Sequence, residues 1–323
     1  MAIALNVFQE QSDLKDKKRY NEGYRLVGNH SAVKVCAYCK KAITGKDVCY
    51  KNTFYGIESW RCVQMSPTFF CDHRCVFCWR DIDYVWPKWQ GPIDDPKEIV
   101  DGCIKAHIEL LQGFKGNDKA IEERLKEMGK PLHFAISLTG EPTMYPRLPE
   151  MIDYIKEKGM TAFLVTNGTI PDMVEKLVEH QPTQLYISVY GSNKEMHQRT
   201  ANPITKDAWE RLNKSLSMMN KFNRNVMRLT LVRGFNFMDP EGYAELIERY
   251  RPMFVESKGY SFVGHSQERL EVNNMPYHDE IMEFAKKIGE NSSYKVIDSK
   301  EESRVALLVR EDFDGRKMEF EGL

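Results

Sequence analysis

Cysteine is absent from the last 220 residues of this 323-residue chain, although the whole chain contains eight cysteines. Seven of the eight lie between residues 36 and 78. A chain held together by disulfides would spread its cysteines more widely, so the clustering favours metal ligands over disulfide bonds. The cysteines are Cys36, Cys39, Cys49, Cys62, Cys71, Cys75, Cys78 and Cys103.

The sequence also lacks a long apolar run and an excess of charge of one sign. No segment approaches the ~20 apolar residues that a membrane-spanning helix needs, and the opening MAIALNVFQEQ has no positive flank typical of a signal peptide. The formal net charge of −1 excludes a global attraction to nucleic acid, but it is compatible with local basic patches. With 42% hydrophobic and 29% charged residues, the composition is that of an ordinary globular protein. We therefore expect a cytoplasmic protein with no membrane partner.

Short apolar segments alternate with amphipathic helical stretches from about residue 130 onward. This alternation predicts βαβ units and a parallel sheet. QMSPTFF (64 to 70) would add a first strand, and residues 95 to 128 would hold the helices that follow it. Six βα units then form an α/β fold, a partial (β/α)6 barrel of the TIM type. The other predicted strands are HFAISL (133 to 138), TAFLVT (161 to 166), QLYISVY (184 to 190), VMRLTLV (226 to 232) and YSFVGH (260 to 265), with helices near 147 to 158, 171 to 180, 205 to 221 and 241 to 250.

The predicted barrel divides the chain into three segments. Residues 1 to 63 form an irregular, cysteine-bearing N-terminal extension, residues 64 to 290 the barrel, and residues 291 to 323 a C-terminal extension. Within the last segment, YKVIDS and RVALLVR predict a small hairpin, which follows a helix near residues 277 to 289. Chemistry in such barrels gathers at the carboxyl ends of the strands. Three thiols follow the first predicted strand, TGEP follows the second, and Asn-Gly follows the third.

The stretch FFCDHRCVFCWRD places Cys71, Cys75 and Cys78 within eight positions. Three thiolates can hold three corners of a [4Fe–4S] cluster and leave one iron without a protein ligand. A structural zinc site with His73 as the fourth ligand is the alternative. Zinc knuckles favour C-x2-C pairs, however, whereas a C-x3-C spacing comes first here, so the pattern favours the cluster.

These residues resemble the signature of the radical S-adenosylmethionine superfamily, C-x3-C-x-aromatic-C, in which Phe77 is the aromatic residue. The resemblance implies that the amino and carboxylate groups of S-adenosylmethionine (SAM) bind the open iron. An electron passed to the sulfonium then releases a 5′-deoxyadenosyl radical that abstracts hydrogen. Polar residues after later strands match the SAM-binding positions of the superfamily: Thr139, Gly140 and Glu141 in place of its Gly-Gly-Glu segment, and Thr166, Asn167 and Ser188 where ribose and carboxylate would be met.

A second group of thiols precedes the barrel. Cys36, Cys49 and Cys62 are spaced thirteen residues apart, and Cys39 does not follow that spacing. All four could bind zinc, since Cys36 and Cys39 form a C-x2-C knuckle, but Cys49 and Cys62 are too far apart for a zinc ribbon. Ligand chemistry alone leaves zinc and a second iron–sulfur cluster both open.

The spacing of these thiols, together with SLTGEP, LVTNG and LTLVRGFN, resembles the tRNA 4-demethylwyosine synthases of wybutosine biosynthesis in their archaeal, single-domain form. That resemblance implies a second [4Fe–4S] cluster on Cys36, Cys49 and Cys62, without Cys39, whose open iron binds pyruvate. It also matches Lys51 to a lysine of the family proposed to engage pyruvate. A partly desolvated amine has a lowered pKa and can form a Schiff base with a ketone, so Lys51 is a candidate catalytic residue.

The family resemblance implies a lyase reaction on tRNA. The adenosyl radical would remove hydrogen from the methyl of N1-methylguanosine beside the anticodon of phenylalanine tRNA, and the carbon radical would add to pyruvate. Loss of the carboxyl carbon and ring closure would give tricyclic 4-demethylwyosine. Eukaryotic members carry a flavodoxin-like domain, for which the 70 residues before the radical motif leave no room. We therefore expect a monomer that receives its electron from a separate flavodoxin- or ferredoxin-like donor.

Several aromatic and basic residues are candidate tRNA contacts. Tryptophans interleaved with cations suit base stacking and phosphate contact, although tryptophans that bury a loop, and solvated charges, are the alternatives. His197 and His265 are given no role, and Cys103 is expected to be a small buried hydrophobic residue. The candidates are Trp79, Arg80, Trp86, Lys88 and Trp89, the basic stretch at residues 15 to 20, Lys40, Lys41, Arg224, Arg228 and Arg233.

Two other functions compete with tRNA modification. The first is radical SAM chemistry on another substrate, for example by an activase that acts on a partner protein. The second is an RNA-binding protein that zinc stabilises and that has no catalytic activity. This last alternative would leave the barrel and TGEP unexplained.

Overall fold

The computed structural model describes residues 23–82 and 85–320. Its scaffold is one open ten-stranded sheet in the order β1-β2-β3-β4-β5-β6-β7-β8-β10-β9. Strands β3 to β8 pair in parallel, so the predicted partial (β/α)6 barrel is confirmed. The strands are β1 (Arg25–Val27), β2 (Ser31–Val33), β3 (Cys62–Ser66), β4 (His133–Ile136), β5 (Thr161–Thr166), β6 (Gln184–Val189), β7 (Asn225–Leu231), β8 (Phe254–Gly259), β9 (Lys295–Lys300) and β10 (Val305–Val309).

Helices follow most of the parallel strands and begin where the sequence supplies helix-starting residues. Asp95 caps α3 by accepting from the Lys97 amide, and prolines occupy the first turns of α3, α6 and α9. No helix in the described ranges is both long and apolar enough to cross a membrane. The helices are α1 (Ala37–Ile43), α2 (Tyr50–Tyr55), α3 (Pro96–Leu111), α4 (Glu122–Glu127), α5 (Leu148–Glu157), α6 (Pro171–Lys176), α7 (Lys194–Ala201), α8 (Ala208–Leu216), α9 (Pro240–Tyr250) and α10 (His278–Glu290).

Two predicted barrel strands lie elsewhere. The first strand begins at Cys62 and ends at Ser66, since Pro67 has no amide hydrogen with which to continue the ladder. The prediction of a strand over residues 260 to 265 is wrong, because β8 is the preceding segment FVESKG. In β8 only Phe254 and Val255 are apolar before the polar Glu256, Ser257 and Lys258, so the segment lacks the continuous apolar run by which a buried strand is recognised.

Both ends of the parallel sheet are extended by antiparallel hairpins. The predicted C-terminal hairpin is confirmed, and its β10 also pairs with β8. The prediction of an irregular N-terminal extension is wrong, because β1 and β2 form a hairpin and β2 pairs with β3. The same extension contains α1 and α2. The predicted helix over 171 to 180 ends at Lys176, and α7 was not predicted because its sequence KEMHQRTA is short and polar.

The barrel strands separate two apolar layers. Outward side chains such as Met65, Phe134 and Leu164 pack against the surrounding helices in the main core. Inward side chains near the amino ends of the strands, among them Phe163 and Tyr186, pack against residues of α2. Helix α2 therefore closes the amino end of the barrel interior.

The C-terminal segment holds α2 in this position. The Met318 amide donates to the Tyr55 carbonyl at 3.0 Å, and Arg316 donates to the Phe54 carbonyl at 2.9 Å. Phe320 packs edge-on against His133, at the start of β4, with ring centroids 4.6 Å apart. The amino end of the interior is thus sealed, and access lies at the carboxyl ends of the strands.

Candidate active site

A cavity of about 260 Å³ lies at the carboxyl ends of the barrel strands. The first thiol set, which consists of Cys71, Cys75 and Cys78, forms part of its wall. The remaining predicted positions of this site line the same cavity, which brings the loops after β3, β4 and β5 together with residues of β6. These positions are Thr139, Gly140, Glu141, Thr166, Asn167 and Ser188.

The loop that carries the first thiol set is fastened by its backbone to distant parts of the chain. Its Arg74 and Val76 amides donate to carbonyls of Asn202 (3.1 Å) and Thr200 (3.1 Å), at the end of α7. From the other side, the Arg269 guanidinium donates to the carbonyls of Val76 and Cys78. All three thiols are free. The loop thus presents three potential ligands toward one cavity, the donor set that a [4Fe–4S] cluster with an open iron requires.

Arg80 acts on this thiol set directly. Burial raises the pKa of Cys71 to about 12, and the positive charge of Arg80 opposes that rise. Burial also raises the pKa of Cys75 well above its usual range. Such thiols lose their protons only to a strongly bound cation, which suits metal ligands. Arg80, a candidate phosphate contact, is largely buried beside the thiols and lines the cavity.

Glu141 connects the loops around the cavity. Its carboxylate accepts hydrogen bonds from the amide (3.0 Å) and hydroxyl (2.6 Å) of Thr143, from the Thr166 hydroxyl (2.6 Å) and from the Asn167 amide (2.7 Å). Burial raises the pKa of Glu141 to about 7, and these hydrogen bonds oppose that rise. The Asn167 side chain in turn donates to Asp72, inside the first thiol loop, at 2.7 Å. Asp72 was missed because its partner lies 95 residues away in the sequence.

Gly140 allows the loop after β4 to pack against the loop after β3. Its φ of +66° lies in the left-handed region, and a Cβ at this position would lie 2.7 Å from the Phe70 carbonyl oxygen and closer still to that of Thr68. The next amide, of Glu141, donates to the same Phe70 carbonyl at 2.6 Å. The Thr139 carbonyl accepts a hydrogen bond from the Ser66 hydroxyl, which fastens this loop to the end of β3.

The second thiol set, which consists of Cys36, Cys49 and Cys62, lies at the amino end of the barrel, because Cys62 opens β3. The three thiols are close enough to act on one another electrostatically. Burial raises the pKa of Cys49 to about 11 and that of Cys62 further, and the charge of Cys36 adds to both rises. The structure therefore brings together the three cysteines that share the thirteen-residue spacing.

Cys39 has different surroundings from the other N-terminal thiols, although Cys36 and Cys62 are close enough to act on it electrostatically. Its side chain is fully buried in an apolar cluster with Val35, Ile43 and Leu111, and its thiol donates to the Trp60 carbonyl at 3.9 Å. In the part of the chain that the structure describes, no three histidine, cysteine or acidic side chains are arranged to hold a single metal ion. A zinc site made of all four N-terminal thiols therefore does not fit, whereas a cubane cluster held by three separated thiols does.

Lys51 lies between the second thiol set and the cavity. Its ammonium nitrogen is 4.3 Å from the ring centre of Tyr186 and 5.7 Å from that of Phe163. Burial lowers the pKa of Lys51, and the charge of Cys49 opposes this effect. The positive charge of Arg228, which lines the cavity, also lowers the pKa of Lys51.

The candidate tRNA contacts fall into different environments. Trp89 packs against His30 and Tyr145, with ring centroids 4.7 and 5.7 Å away, so it buries a loop. Trp79 stacks on Tyr24 and also lines the cavity. Trp86 packs edge-on against Phe70.

Two of the basic candidates are not surface phosphate contacts. Arg224 donates to the carbonyls of Gly315 (3.1 Å) and Arg316 (2.8 Å) and holds the C-terminal segment. Arg228 lines the cavity in the barrel interior. Arg224 is therefore engaged by the protein itself, whereas Arg228 faces the cavity rather than the outer surface. Lys40, Lys41 and Lys88 are exposed, Arg233 pairs with Glu280, and the stretch at residues 15 to 20 lies outside the described residues.

The remaining polar candidates have structural surroundings. Burial lowers the pKa of His197 to about 3, so its ring is neutral, and it packs against Tyr190 and Trp209. His265 pairs with Glu268 at 2.8 Å. Cys103 is fully buried in α3, as expected of a small hydrophobic residue.

Comparison with known proteins places this geometry in a family context. Residues 65–247 match the radical SAM superfamily, and residues 249–310 match a family described as wyosine base formation. The SAM-dependent tRNA 4-demethylwyosine synthase of Pyrococcus horikoshii is 43% identical, over 98% of this chain and 93% of its own length. The same enzyme of Methanocaldococcus jannaschii is 39% identical, over 92% and 94%.

Solved structures give the same result. A structure of TYW1 with a lysine–pyruvate adduct bound has a TM-score of 0.84 at 38% identity and covers 96% of this chain and 98% of its own. A crystal structure of archaeal TYW1 has a TM-score of 0.77 at 34% identity and covers 96% and 99%. The similarity therefore extends over both thiol sets and the whole barrel.

The contact made by Gly140 generates a prediction. Replacing Gly140 with alanine should lower the melting temperature clearly more than replacing Gly159, which has a similar φ of +72° but where an added methyl group would meet no atom within 4 Å. Both variants bear left-handed strain of about 1 kcal/mol, and only Gly140→Ala adds a clash with backbone oxygens, worth roughly 1–3 kcal/mol more. Thermal unfolding of the two variants checks this. Equal melting temperatures would show that the loops do not depend on this close approach.

Proposed function

The chain belongs to the family of SAM-dependent tRNA 4-demethylwyosine synthases, and from this we propose how its own residues carry out the reaction of that family. It is a radical SAM enzyme of the wybutosine pathway that converts N1-methylguanosine beside the anticodon of tRNA to 4-demethylwyosine, with pyruvate as the carbon donor. The competing functions, a radical enzyme with a protein substrate and a zinc-stabilised RNA-binding protein, are therefore wrong. The observation that supports the detailed proposal most strongly is the placement of two thiol triplets at opposite ends of one barrel interior.

At the carboxyl end, the first thiol set holds a [4Fe–4S] cluster, and the residues around Glu141 bind SAM. When bound, this pair supplies a 5′-deoxyadenosyl radical for hydrogen abstraction from the methyl group of the base. Thr139 and Gly140 present backbone groups to the methionyl end, and Thr166, Asn167 and Ser188 present polar groups to the ribose and carboxylate. The hydrogen bonds that fix Glu141 keep these groups in place before the substrate arrives, which is the main contribution that a scaffold makes to such a reaction.

At the amino end, the second thiol set holds a second [4Fe–4S] cluster with an open iron. Two features support this. Cys39 is withdrawn into an apolar cluster, which leaves three thiols rather than four. Helix α2, sealed by the C-terminal segment, keeps bulk water away from this end of the barrel.

Lys51 attacks the ketone carbon of pyruvate, and loss of water from the adduct forms a Schiff base. The step needs a neutral amine, and burial favours that form. The similar structure of TYW1 holds a lysine–pyruvate adduct, and Lys51 is close enough to the second thiol set for the charges of Cys49 and Cys62 to act on it. The carbon radical of the base then adds to a pyruvate that is held in a defined orientation.

The tRNA reaches this chemistry from the open end of the barrel. A purine in an anticodon loop is splayed out at modest cost, so it can enter a pocket at the strand ends. Trp79, at the cavity wall, and exposed Tyr277 are aromatic groups against which it could stack. We propose that the enzyme works as a cytoplasmic monomer on tRNA(Phe) and receives its electron from a separate flavodoxin- or ferredoxin-like donor.

The ligand assignment predicts iron contents. After anaerobic reconstitution, the wild type and Cys39→Ala should each contain about eight irons, because Cys39 is a core residue. The triple variant Cys36→Ala, Cys49→Ala, Cys62→Ala should contain about four irons, since the first thiol set is intact. Mössbauer spectra and sulfide analysis measure this. Four irons and one zinc in the wild type would contradict the second cluster.

The role of Lys51 predicts a loss of both adduct and product. With N1-methylguanosine-containing tRNA and ¹³C-labelled pyruvate, the wild type should form labelled 4-demethylwyosine, detected by mass spectrometry of the digested tRNA. Lys51→Ala should reduce this product by about 100-fold or more, because the second substrate is no longer positioned. Borohydride should trap pyruvate on the wild type and not on this variant.

The matched control for that experiment is Lys40→Ala, since Lys40 is exposed on α1, also close to the second thiol set. It should trap pyruvate as the wild type does. A covalent adduct that persists in Lys51→Ala would refute the assignment of this lysine.

A further inference from the structure

Arg228 is a cation in the barrel interior for which the fold itself provides no partner. It lies in the middle of β7, in a row with Ser188 of β6 and Glu256 of β8, and it lines the cavity. Its Nε atom is buried without a hydrogen-bond partner. Within residues 23–82 and 85–320, none of its guanidinium nitrogens forms a hydrogen bond or ion pair. A guanidinium withdrawn from water in this way is costly unless an anion joins it in the working site.

The neighbouring carboxylate does not fill this role. Glu256 lies opposite Arg228 in the strand register, but its two oxygens accept hydrogen bonds from the hydroxyls of Tyr50 (3.1 Å) and Tyr55 (2.8 Å). It therefore serves the packing of α2 against the barrel. Its charge stabilises Arg228 from a distance and leaves the donors of the guanidinium available.

The other cations around the cavity are engaged by the protein. Lys258 donates to the Ser303 carbonyl at 2.5 Å. Arg269 donates to two carbonyls of the first thiol loop, and Arg80 donates to the Asp81 carbonyl at 3.0 Å. Arg228 differs from these because the N–H donors of its guanidinium are available to the cavity. The planar arrangement of these donors matches the two oxygens of a carboxylate.

Two carboxylates enter this cavity in the proposed reaction, that of pyruvate and that of the methionyl group of SAM. Position favours pyruvate. Arg228 lies opposite Glu256 in the strand register, and the Glu256 carboxylate accepts a hydrogen bond at 3.1 Å from the hydroxyl of Tyr50, the neighbour of Lys51. The positive charge of Arg228 also acts on Lys51. At the first thiol set, by contrast, the cation that acts most strongly on Cys71 is Arg80.

We propose that Arg228 binds the carboxylate of pyruvate while Lys51 holds the keto carbon, and that this pairing selects 2-keto acids over uncharged ketones. The proposal rests on the proposed function of Lys51. Imine formation releases only water, so the carboxylate keeps its negative charge and its contact with the guanidinium. Two points of attachment fix the plane of the three-carbon unit, which a single covalent bond to a flexible lysine would leave free to rotate.

The test measures borohydride trapping on Lys51 with pyruvate and with its uncharged analogue, methyl pyruvate. In the wild type, half-maximal trapping should need a lower concentration of pyruvate than of methyl pyruvate. In Arg228→Gln, the concentration of pyruvate needed should rise about 10- to 100-fold, since a charge-assisted contact is lost, while that of methyl pyruvate should be unchanged. Arg228→Lys keeps the positive charge but loses the planar set of donors. Its half-maximal trapping should need a pyruvate concentration between those of the wild type and Arg228→Gln. SAM binding by Arg228→Gln should equal that of the wild type.

The matched control is Arg211→Gln, on the surface of α8, where the arginine pairs with Asp207 at 2.8 Å. It should retain the preference for pyruvate.

Wild-type protein that traps methyl pyruvate as readily as pyruvate overturns the inference without recourse to any variant. Weakened SAM binding with unchanged pyruvate trapping in Arg228→Gln would assign the guanidinium to the methionyl carboxylate and overturn it as well. No trapping by the wild type would instead refute the role of Lys51, which separates failure of the proposed function from failure of this inference.

Discussion

The carboxylate of Glu141, with its four hydrogen-bond donors, is the interaction on which the arrangement of the open end depends. It ties the loop after β4 to the loop after β5, and through Asn167 and Asp72 it reaches the thiol loop after β3. A buried acid is expensive when it lacks partners, but with this many donors it fixes several segments at once. The cavity wall is therefore ordered by hydrogen bonds among its own loops, and the polar groups that face the cavity are held in place without a ligand.

The amino end of the barrel is organised by a different principle. There the interior is filled by aromatic side chains of α2 and of the strands. The carboxylate of Glu256 accepts hydrogen bonds from the hydroxyls of Tyr50 and Tyr55. Cys49 directly precedes this helix and Lys51 lies in its first turn, so the packing that seals the barrel also sets the positions of these two residues. Between the polar open end and the aromatic closed end lies Arg228, whose buried Nε has no hydrogen-bond partner, and a positive charge there suits a small anionic substrate.

Sequence reasoning succeeded where local spacing carries the information and failed where partners are distant. The two thiol triplets, the TGEP loop and the alternation of β5 to β7 with helices could all be read from short segments. Strand β8 could not be predicted in this way, because the charged residues Glu256 and Lys258 interrupt its apolar run. The surroundings of Arg80 and Arg228 could not be predicted either, since nothing in their local sequence shows that one lies beside buried thiols and the other lines a cavity. Asp72 acquires its role only through a residue 95 positions later.

The fastening of the thiol loop to residues beyond the middle of the chain has a consequence for biosynthesis. Cys71 to Cys78 leave the ribosome early, but their loop is held by Thr200 and Asn202 at one side and by Arg269 at the other. A nascent chain that has exposed only its cysteines cannot yet support the loop in this geometry. The thiol loop therefore reaches its native geometry only after translation has passed residue 269 and the barrel has assembled around it.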